Sequence, residues 1–302
     1  MKIDKIEKFS HNIKGKIFFH YDLKKTNWFN IGGIAKAYFK PDSLHELSLF
    51  LKEFGREEKI FILGAGSNIL IDDKKIDAVF IKLGKNFSNI SILPNNIIVA
   101  GSAALDKKLS EFAMDNSIGG LEFLSCIPGT VGGGLRMNSG CFKKEFKDIL
   151  LSVQTIDKSG NILTIPAPKI EFGYRESALS RDLIFLSASF KGETKQKEDI
   201  GKMIKELKQK KDKAQPSKIK TGGSTFKNPV SVTNKKVWEL IKECVSLDKK
   251  FGDAQISKKH CNFFENTNKA SFKDMKNLIE FVKKSVKLKT GIQIDTEIEI
   301  IN

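Results

Sequence analysis

The feature of this sequence that most constrains its fold is a glycine-dense stretch at residues 119–140, GGLEFLSCIPGTVGGGLRMNSG. It holds seven of the chain's 23 glycines, and Pro128 fixes one bend within it. Because glycine adopts positive φ and lets backbone N–H groups approach a ligand closely, such density is typical of a phosphate or cofactor loop. Apolar residues such as Phe123 and Val131 argue against a flexible linker. The stretch predicts a loop that wraps a bound cofactor, and a tight turn between packed elements is the alternative.

Residues 64–68, GAGSN, form a second glycine-marked turn between apolar runs at 59–63 and 69–71. Strand, glycine turn and strand differ from the dinucleotide-binding G-x-G-x-x-G motif, which runs into a helix. The turn is predicted to hold a pyrophosphate through its backbone N–H groups and through two of its side chains, and a β-hairpin turn is the alternative. The residues of this predicted site are Gly64, Ala65, Gly66, Ser67 and Asn68.

The composition excludes several classes of protein. At 302 residues the chain exceeds the usual single domain, so we expect two or three domains. Four cysteines without a C-x-x-C pair, and four histidines without ligand spacing, predict neither a disulfide framework nor a metal site. No run is long enough to cross a bilayer, and the first residues lack the apolar core of a signal peptide. We therefore expect a cytoplasmic protein without membrane insertion.

The charge is strongly positive, at +16 from 52 basic and 36 acidic residues. Such an excess occurs in nucleic-acid-binding proteins and in proteins with anionic small ligands. Here the lysines are scattered along the chain and are not interleaved with aromatic residues in one module. The charge alone does not decide between the two classes, and no recognised nucleic-acid motif supports the first.

Hydrophobic periodicity predicts an α+β chain with many short strands. Strands are expected at 59–63, 69–71, 78–83, 97–100 and 183–190, with a hairpin joining 150–156 to 161–165 and a closing strand at 292–301. Helices are expected near the N-terminus and at 43–54, 105–113, 198–207, 237–244 and 271–286. Ser43 is the expected cap of one helix, and Ser271 with Asp274 the capping box of another. A third glycine turn is expected at 220–229, and a domain boundary near residue 200, where a basic, polar run begins.

Taken in order, the motifs resemble those of one family, the UDP-N-acetylenolpyruvoylglucosamine reductases, which are flavoenzymes of peptidoglycan precursor synthesis. Each motif alone is weak, but the ordered set covers nearly the whole chain. The chain is similar to the shorter of the family's two types, because no extended insertion follows Tyr174. The matching segments are NIGG at 30–33, LGAGSN at 63–68, GLEF at 120–123, IPGTVGG at 127–133, MNSG at 137–140, YRES at 174–177, GSTFKNP at 223–229, AQIS at 254–257 with His260, and GI at 291–292 before Glu297.

The resemblance implies an FAD-binding half like that of the vanillyl-alcohol oxidase superfamily, made of two α+β subdomains, and a C-terminal α+β substrate domain. The implied FAD domain is 1–199, with subdomains of about 1–83 and 84–199. The implied substrate-binding domain is 200–302, whose last strand returns to the active site. FAD would be bound non-covalently on the turn at 64–68 and by a second set of residues. That second set is Ile127, Pro128, Gly129, Thr130, Gly132, Gly133, Asn138 and Gly140.

The activity that the resemblance implies is reduction of UDP-N-acetylglucosamine enolpyruvate to UDP-N-acetylmuramate, with NADPH as the hydride donor to FAD. Arg175 would bind the enolpyruvyl carboxylate and stabilise negative charge, and Ser224 would donate a proton. Glu297 would either hydrogen-bond the enolate when protonated or orient Arg175 when ionised. Tyr174, Lys227 and Asn228 are implied contacts to the UDP-sugar, and we expect a monomer. Taken without the resemblance, Arg175 would more often be a surface arginine, Ser224 a turn-forming serine and Glu297 a solvent-facing acid.

Two other functions compete with this interpretation. A flavin-dependent oxidase of the same superfamily would keep the fold, and Cys126 or Cys141 would then be conceivable covalent tethers of the flavin. A basic nucleic-acid-binding protein is the alternative that the charge suggests. The chain also departs from the family's common pattern at Ala65, at Lys143 with Lys144, and at Glu299.

Overall fold

The computed structural model describes residues 2–302, which form two compact units. Each unit is assembled from separate stretches of the chain. The first unit consists of the residues up to Tyr21, Ala35–Ala65 and Asp77–Lys210. The second consists of Asp22–Ile34, Gly66–Ile76 and Lys211–Asn302.

Within residues 2–302 the chain has seven α-helices, most of which the apolar periodicity predicts. They are α1 Lys2–Ser10, α2 Leu44–Phe54, α3 Asp106–Asp115, α4 Val131–Arg136, α5 Lys197–Ala214, α6 Val237–Cys244 and α7 Phe272–Thr290. The Ser43 hydroxyl accepts the Glu46 N–H at 3.2 Å, which confirms the predicted cap of α2. Ser271 and Asp274 form the predicted capping box of α7. The boundary expected near residue 200 falls within α5, and the division into 1–199 and 200–302 stays a prediction.

The strands are short, as the sequence predicts. They are β1 Lys16–Asp22, β2 Ile34–Lys40, β3 Ile60–Ile62, β4 Ile69–Ile71, β5 Lys75–Ile81, β6 Ile90–Leu93, β7 Ile97–Gly101, β8 Ile118–Gly119, β9 Gly140–Cys141, β10 Lys144–Glu145, β11 Leu150–Ile156, β12 Ile162–Pro166, β13 Phe172–Gly173, β14 Glu176–Ser177, β15 Ile184–Lys191, β16 Glu193–Thr194, β17 Thr221–Ser224, β18 Lys250–Phe251, β19 Ala254–Ile256, β20 Phe263–Asn266 and β21 Glu299–Ile301.

Two sheets build the first unit. One has the strand order β1-β2-β5-β3, and the other has the order β12-β11-β15-β7-β6. The first sheet and α2 share a core that includes Phe39 and Phe50, whose ring centroids are 4.7 Å apart. The second sheet shares a core with α3 and α4 that includes Phe146 and Phe190. The unit therefore has two α+β layers, each with its own apolar face.

The second unit is built on a sheet of order β17-β20-β19-β18 with α6 and α7. Phe226 and Phe264, with ring centroids 5.6 Å apart, lie in its core. A parallel pair joins β21 to β4, with Ile300 opposite Leu70. Because β4 pairs with β21 whereas β3 pairs with β5, residues 64–68 do not form the turn of a β-hairpin, and that alternative is wrong.

The structure corrects three expectations about local structure. Residues 119–140 are not all loop, since they include a 3₁₀ turn at Glu122–Cys126 and the helix α4, which the low helix propensity of glycine conceals. The expected closing strand at 292–301 is reduced to β21, because the preceding backbone bonds to residues 225–227 rather than to a ladder. The glycine turn expected at 220–229 contains β17.

Two further findings concern the described residues as a set. None of their helices is both long enough and apolar enough to cross a membrane. Within residues 2–302, no group of three or more His, Cys, Asp or Glu side chains is arranged to hold a metal ion.

Candidate active site

The turn at 64–68 begins in the first unit, where a lysine lies beside it. The Gly64 carbonyl accepts a hydrogen bond from the Lys82 ammonium. Lys82 is half-buried and pairs with no carboxylate of the described residues. Burial, and after it the charge of Lys40, lowers the pKa of Lys82. A cation that no described carboxylate neutralises therefore lies next to Gly64.

The loop at 127–133 is hydrogen-bonded to residues 102–106, also in the first unit. Three backbone hydrogen bonds of 2.9–3.2 Å hold it, from Asp106 N to Gly129 O, from Val131 N to Ala104 O, and from Gly132 N to Ser102 O. The N–H groups of Thr130 and Gly133 donate to no described residue. A Cβ added at Gly64 would lie 2.8 Å from the Thr130 hydroxyl oxygen, so the loop and the turn are close neighbours. The unused donors of the loop are thus fixed in position.

A buried carboxyl lies beneath this loop. Asp106, at the start of α3, is fully buried, and neither of its carboxyl oxygens has a hydrogen-bond partner. Burial raises the pKa of Asp106 well above its usual range. A Cβ added at Gly129 would lie 2.8 Å from Asp106 Oδ2, so the loop approaches too closely for a side chain there. Because its oxygens are inaccessible, Asp106 shapes the loop rather than contacting a ligand.

The rest of the turn lies in the second unit. Gly66 has a φ of 71°, and its carbonyl accepts the Trp28 N–H at 2.9 Å. A Cβ at Gly66 would overlap the carbonyl oxygen of Thr26, so this position requires glycine on two counts. None of the backbone N–H groups of residues 64–68 donates to a described residue. Backbone N–H groups without a protein acceptor are donors of the kind that bind anionic ligands.

Ser224 and Glu297 lie on two segments of the second unit whose backbones are hydrogen-bonded to each other. Ser224 ends β17, where it is paired with Phe263, and it is half-buried. The Glu297 N–H donates to the Thr225 carbonyl at 2.8 Å, and Asn68 Nδ2 donates to the Glu297 carbonyl at 3.0 Å. The Ser224 hydroxyl makes no hydrogen bond with a described residue. A hydroxyl, a carboxyl-bearing residue and Asn68 of the glycine turn are therefore brought together.

Arg175 occupies the turn between β13 and β14 in the first unit, with a φ of 59°. Its Nη1 lies 3.8 Å from Glu145 Oε1, and its Nη2 donates to the Gly140 carbonyl at 3.3 Å. The guanidinium carbon lies 5.1 Å from the centroid of the Tyr174 ring, a cation–π distance. A left-handed φ costs a non-glycine residue about 1 kcal/mol, so the surrounding contacts must hold this turn.

Asn138 is fully buried, with a φ of 39°. Its amide donates to Glu145 Oε2 at 3.0 Å and to the Gly173 carbonyl at 3.1 Å, and its Oδ1 accepts the Lys147 N–H at 3.1 Å. Both amide hydrogens are thus used within the protein. A contact between Asn138 and the cofactor would therefore have to use its backbone.

The implied substrate contacts of the second unit also have local partners. The Lys227 N–H donates to the Asp295 carbonyl at 2.9 Å. Asn228 Oδ1 accepts the Val237 N–H at 3.0 Å, at the start of α6. Asn228 Oδ1 therefore helps to begin α6.

The residues predicted from the sequence fall into two groups. Arg175 belongs to the first unit, whereas Ser224 and Glu297 belong to the second. The first unit also holds Gly64, Ala65, Ile127, Pro128, Gly129, Thr130, Gly132, Gly133, Asn138, Gly140 and Tyr174, and the second holds Gly66, Ser67, Asn68, Lys227 and Asn228. The sequence does not single out Lys82 or Glu145, because each stands among other charged residues without a distinguishing pattern.

Comparison with known proteins finds relatives over the whole chain. A family profile for the C-terminal domain of UDP-N-acetylenolpyruvoylglucosamine reductase matches residues 215–301, and one for an FAD-binding domain matches residues 35–166. A UDP-N-acetylenolpyruvoylglucosamine reductase from Pelagibacter ubique is 67% identical over 301 residues and 100% of both chains. One from Rickettsia conorii is 42% identical, over 96% of this chain and 97% of its own. The solved reductase from Thermus caldophilus has a TM-score of 0.80 at 27% identity, over 96% of this chain and 100% of its own. These matches confirm the predicted fold class.

Proposed function

The chain belongs to the UDP-N-acetylenolpyruvoylglucosamine reductase family, whose members serve peptidoglycan precursor synthesis, and on that premise we propose the reaction that it catalyses. It reduces UDP-N-acetylglucosamine enolpyruvate to UDP-N-acetylmuramate with NADPH and FAD, as a monomer in the cytoplasm. The observation that carries the proposal is the hydrogen-bonded segment that joins Ser224, through Thr225, to Glu297 and Asn68. That segment unites a proton donor, a carboxyl group and the anion-binding turn.

The described residues fit FAD, whose diphosphate is dianionic. The unused N–H groups of residues 64–68, and those of Thr130 and Gly133, are donors that suit phosphate oxygens. The Lys82 ammonium supplies a nearby positive charge. We infer that these groups hold the diphosphate, with Gly129 allowing the loop to approach. When bound, FAD supplies the redox chemistry, taking a hydride from NADPH and delivering it to the vinyl group of the substrate.

Arg175 binds the enolpyruvyl carboxylate and stabilises the negative charge that develops beside it. A guanidinium suits this task, because it is permanently charged and can bind a carboxylate through two parallel N–H groups. The ring of Tyr174 supports the guanidinium from one side. Ion pairing in a half-buried position is stronger than in bulk water, which favours charge stabilisation at this point.

Ser224 delivers the proton that completes the reduction. A serine hydroxyl is a weak acid near neutral pH, so it protonates only a strongly basic, carbanion-like carbon. Its hydroxyl is half-buried and has no hydrogen-bond partner among the described residues, so no protein acceptor competes for its proton. The positive φ of Gly223, 80°, sets the direction in which Ser224 leaves the backbone turn.

Glu297 assists at the developing enolate. Its backbone is fixed on both sides, by Thr225 and by Asn68, so the position from which its carboxyl extends is well defined. When protonated, that carboxyl donates a hydrogen bond to the enolate oxygen. Lys227 and Asn228 contact the UDP diphosphate, for which a lysine charge and an amide nitrogen are suitable partners.

The proposal is tested by the absorbance spectrum of the purified protein. We expect flavin bands that NADPH bleaches under anaerobic conditions and that UDP-N-acetylglucosamine enolpyruvate restores. Acid precipitation should release the flavin into the supernatant, because the binding is non-covalent. A colourless protein, or a reduced flavin that the sugar nucleotide does not reoxidise, would contradict the proposed function.

A further inference from the structure

The Glu145 carboxylate accepts a hydrogen bond from Asn138 and forms ion pairs with Lys147 and Arg175, and the proposed reaction gives it no role. We propose that Glu145 is a positioning residue that fixes the guanidinium of Arg175 for the substrate carboxylate. This inference rests on the proposed function of Arg175. It concerns residues of the first unit only.

Two short hairpins meet at this carboxylate. In the first hairpin, β9 and β10, Gly140 pairs with Glu145. In the second, β13 and β14, Gly173 pairs with Glu176, and Arg175 lies in the turn. The Asn138 amide joins the two hairpins, because it bonds both Glu145 Oε2 and the Gly173 carbonyl. The distance between the carboxylate and the Arg175 turn is therefore set by a buried side chain.

The two oxygens of Glu145 have different roles. Oε2 accepts from Asn138 Nδ2 at 3.0 Å and lies 3.0 Å from Lys147 Nζ. These contacts fix the rotation of the carboxylate, so that Oε1 faces Arg175 Nη1 at 3.8 Å. A separation of 3.8 Å is an ion pair and not a direct hydrogen bond. Glu145 therefore attracts the guanidinium while holding it less tightly than a direct hydrogen bond would.

Two cations lie beside the one carboxylate of Glu145. They are the guanidinium of Arg175 and the ammonium of Lys147. Glu145 and Arg175 are both about four-fifths buried, with side-chain exposures of 21% and 20%, so screening by water is limited. An arginine side chain loses rotamer entropy when it is fixed. Because Glu145, the Gly140 carbonyl and Tyr174 already hold the Arg175 side chain in place, this entropy is not lost when the substrate binds.

The test compares Glu145→Gln, Arg175→Ala and the double variant. Glu111→Gln is the matched control, since Glu111 pairs with Lys108 at 2.8 Å elsewhere in the first unit. Each holoenzyme is reduced with NADPH and mixed with the enolpyruvyl sugar nucleotide, and the rate of flavin reoxidation is recorded. We expect Glu145→Gln to keep its flavin and its reduction by NADPH but to reoxidise about 10- to 100-fold more slowly, as a misplaced catalytic group does. The control should match the wild type.

Non-additivity separates positioning from a general structural effect. If Glu145 acts through Arg175, the double variant is no slower than Arg175→Ala alone. Binding gives a second readout. Glu145→Gln should weaken the enolpyruvyl ligand and leave UDP-N-acetylglucosamine, which lacks the carboxylate, unchanged. Glu145→Asp, which keeps the charge, should recover part of the lost rate.

Several results would overturn the inference. One is a wild-type rate of reoxidation in Glu145→Gln while Arg175→Ala is slow, which would leave the proposed function of Arg175 intact. Another is multiplication of the two defects in the double variant. Loss of flavin from Glu145→Gln would assign Glu145 to folding or cofactor binding instead. A wild-type rate in Arg175→Ala would instead reject the role of Arg175, and this inference with it.

Discussion

Ser224 is the proposed proton donor. Strand pairing fixes its backbone, and its hydroxyl has no hydrogen-bond partner among the described residues. We expect Ser224→Ala to retain flavin and reduction by NADPH but to reduce the sugar nucleotide about 10²- to 10⁴-fold more slowly, since the proton donor is lost. Stopped-flow absorbance of each half-reaction measures this. Ser285→Ala in α7 is the control, and undiminished turnover in Ser224→Ala would reject the proton-donor role.

Asp106 provides a second prediction at this scale, about pH. Its pKa is raised by burial in the folded protein, so the stability that protonated Asp106 contributes is present below the usual Asp pKa. That stability is lost as the pH rises towards the folded value. We expect Asp106→Asn, which cannot ionise, to gain unfolding free energy relative to the wild type as the pH rises from acidic to neutral. Denaturant unfolding at both pH values measures this, with the exposed Asp115→Asn as the control. A constant difference would argue against a buried titrating carboxyl.

How far single residues can be predicted from the sequence depends on their surroundings. Ser224 and Glu297 were predicted through ordered motifs, and the structure brings their segments together. Glu145 was not predicted, because the run KKEFKD at 143–148 is indistinguishable from a solvated charged surface. Its partner Asn138 lies seven residues earlier, and Arg175 thirty residues later, so only the folded hairpins make the contact visible.

At the scale of elements, the β9–β10 hairpin shows what the lysine at position 143 does to the local backbone. Its two turn residues, Phe142 and Lys143, have φ values of 52° and 68°, as a type I′ turn requires. A glycine suits this geometry, and a lysine does not. We expect Lys143→Gly to raise the unfolding free energy by up to about 1 kcal/mol, because the left-handed strain is removed. Lys144→Gly, one residue on in β10, should lower it. Urea unfolding measures both, and the reverse order would contradict this account of the turn.

The glycine turn at 64–68 gives a second prediction for an element. Gly66 combines a φ of 71° with a backbone oxygen where a Cβ would be, whereas Gly84 has a φ of −101° and open space around it. We expect Gly66→Ala to purify with little flavin and Gly84→Ala to purify with the wild-type amount. The ratio of flavin to protein absorbance measures this. Full flavin occupancy in Gly66→Ala would show that the turn is not part of the cofactor site.

Most elements could be predicted because their apolar spacing matches their packing. The period of α7 buries Met275, Ile279 and Val286, and its capping box marks its start. The exceptions have physical causes. In α4, Gly134 packs against the ring of Phe146 where no side chain would fit, so tertiary packing overrides a poor helix propensity. In the segment before β21, apolar and polar residues alternate as in a strand, but its backbone forms hydrogen bonds with residues 225–227 instead of with a neighbouring strand.

For the whole molecule, the composition predicted less about the function than the order of the motifs did. A charge of +16 is compatible with nucleic-acid binding, and the matches to the FAD-binding and C-terminal reductase domains identify the family instead. The two units each draw on three stretches of the chain, an arrangement that a single composition change near residue 200 does not reveal. Long-range pairings such as β4 with β21 are also invisible to local periodicity.

The proposed reaction is tested by following the vinyl group and the reductant together. The wild-type enzyme is incubated anaerobically with NADPH and UDP-N-acetylglucosamine enolpyruvate, and the vinyl proton signals are followed by NMR while NADPH is followed by absorbance. We predict that the vinyl signals disappear in step with NADPH, one for one, as the lactyl ether forms. Consumption of NADPH with the vinyl signals intact, or only when oxygen is admitted, would contradict the account and favour an oxidase.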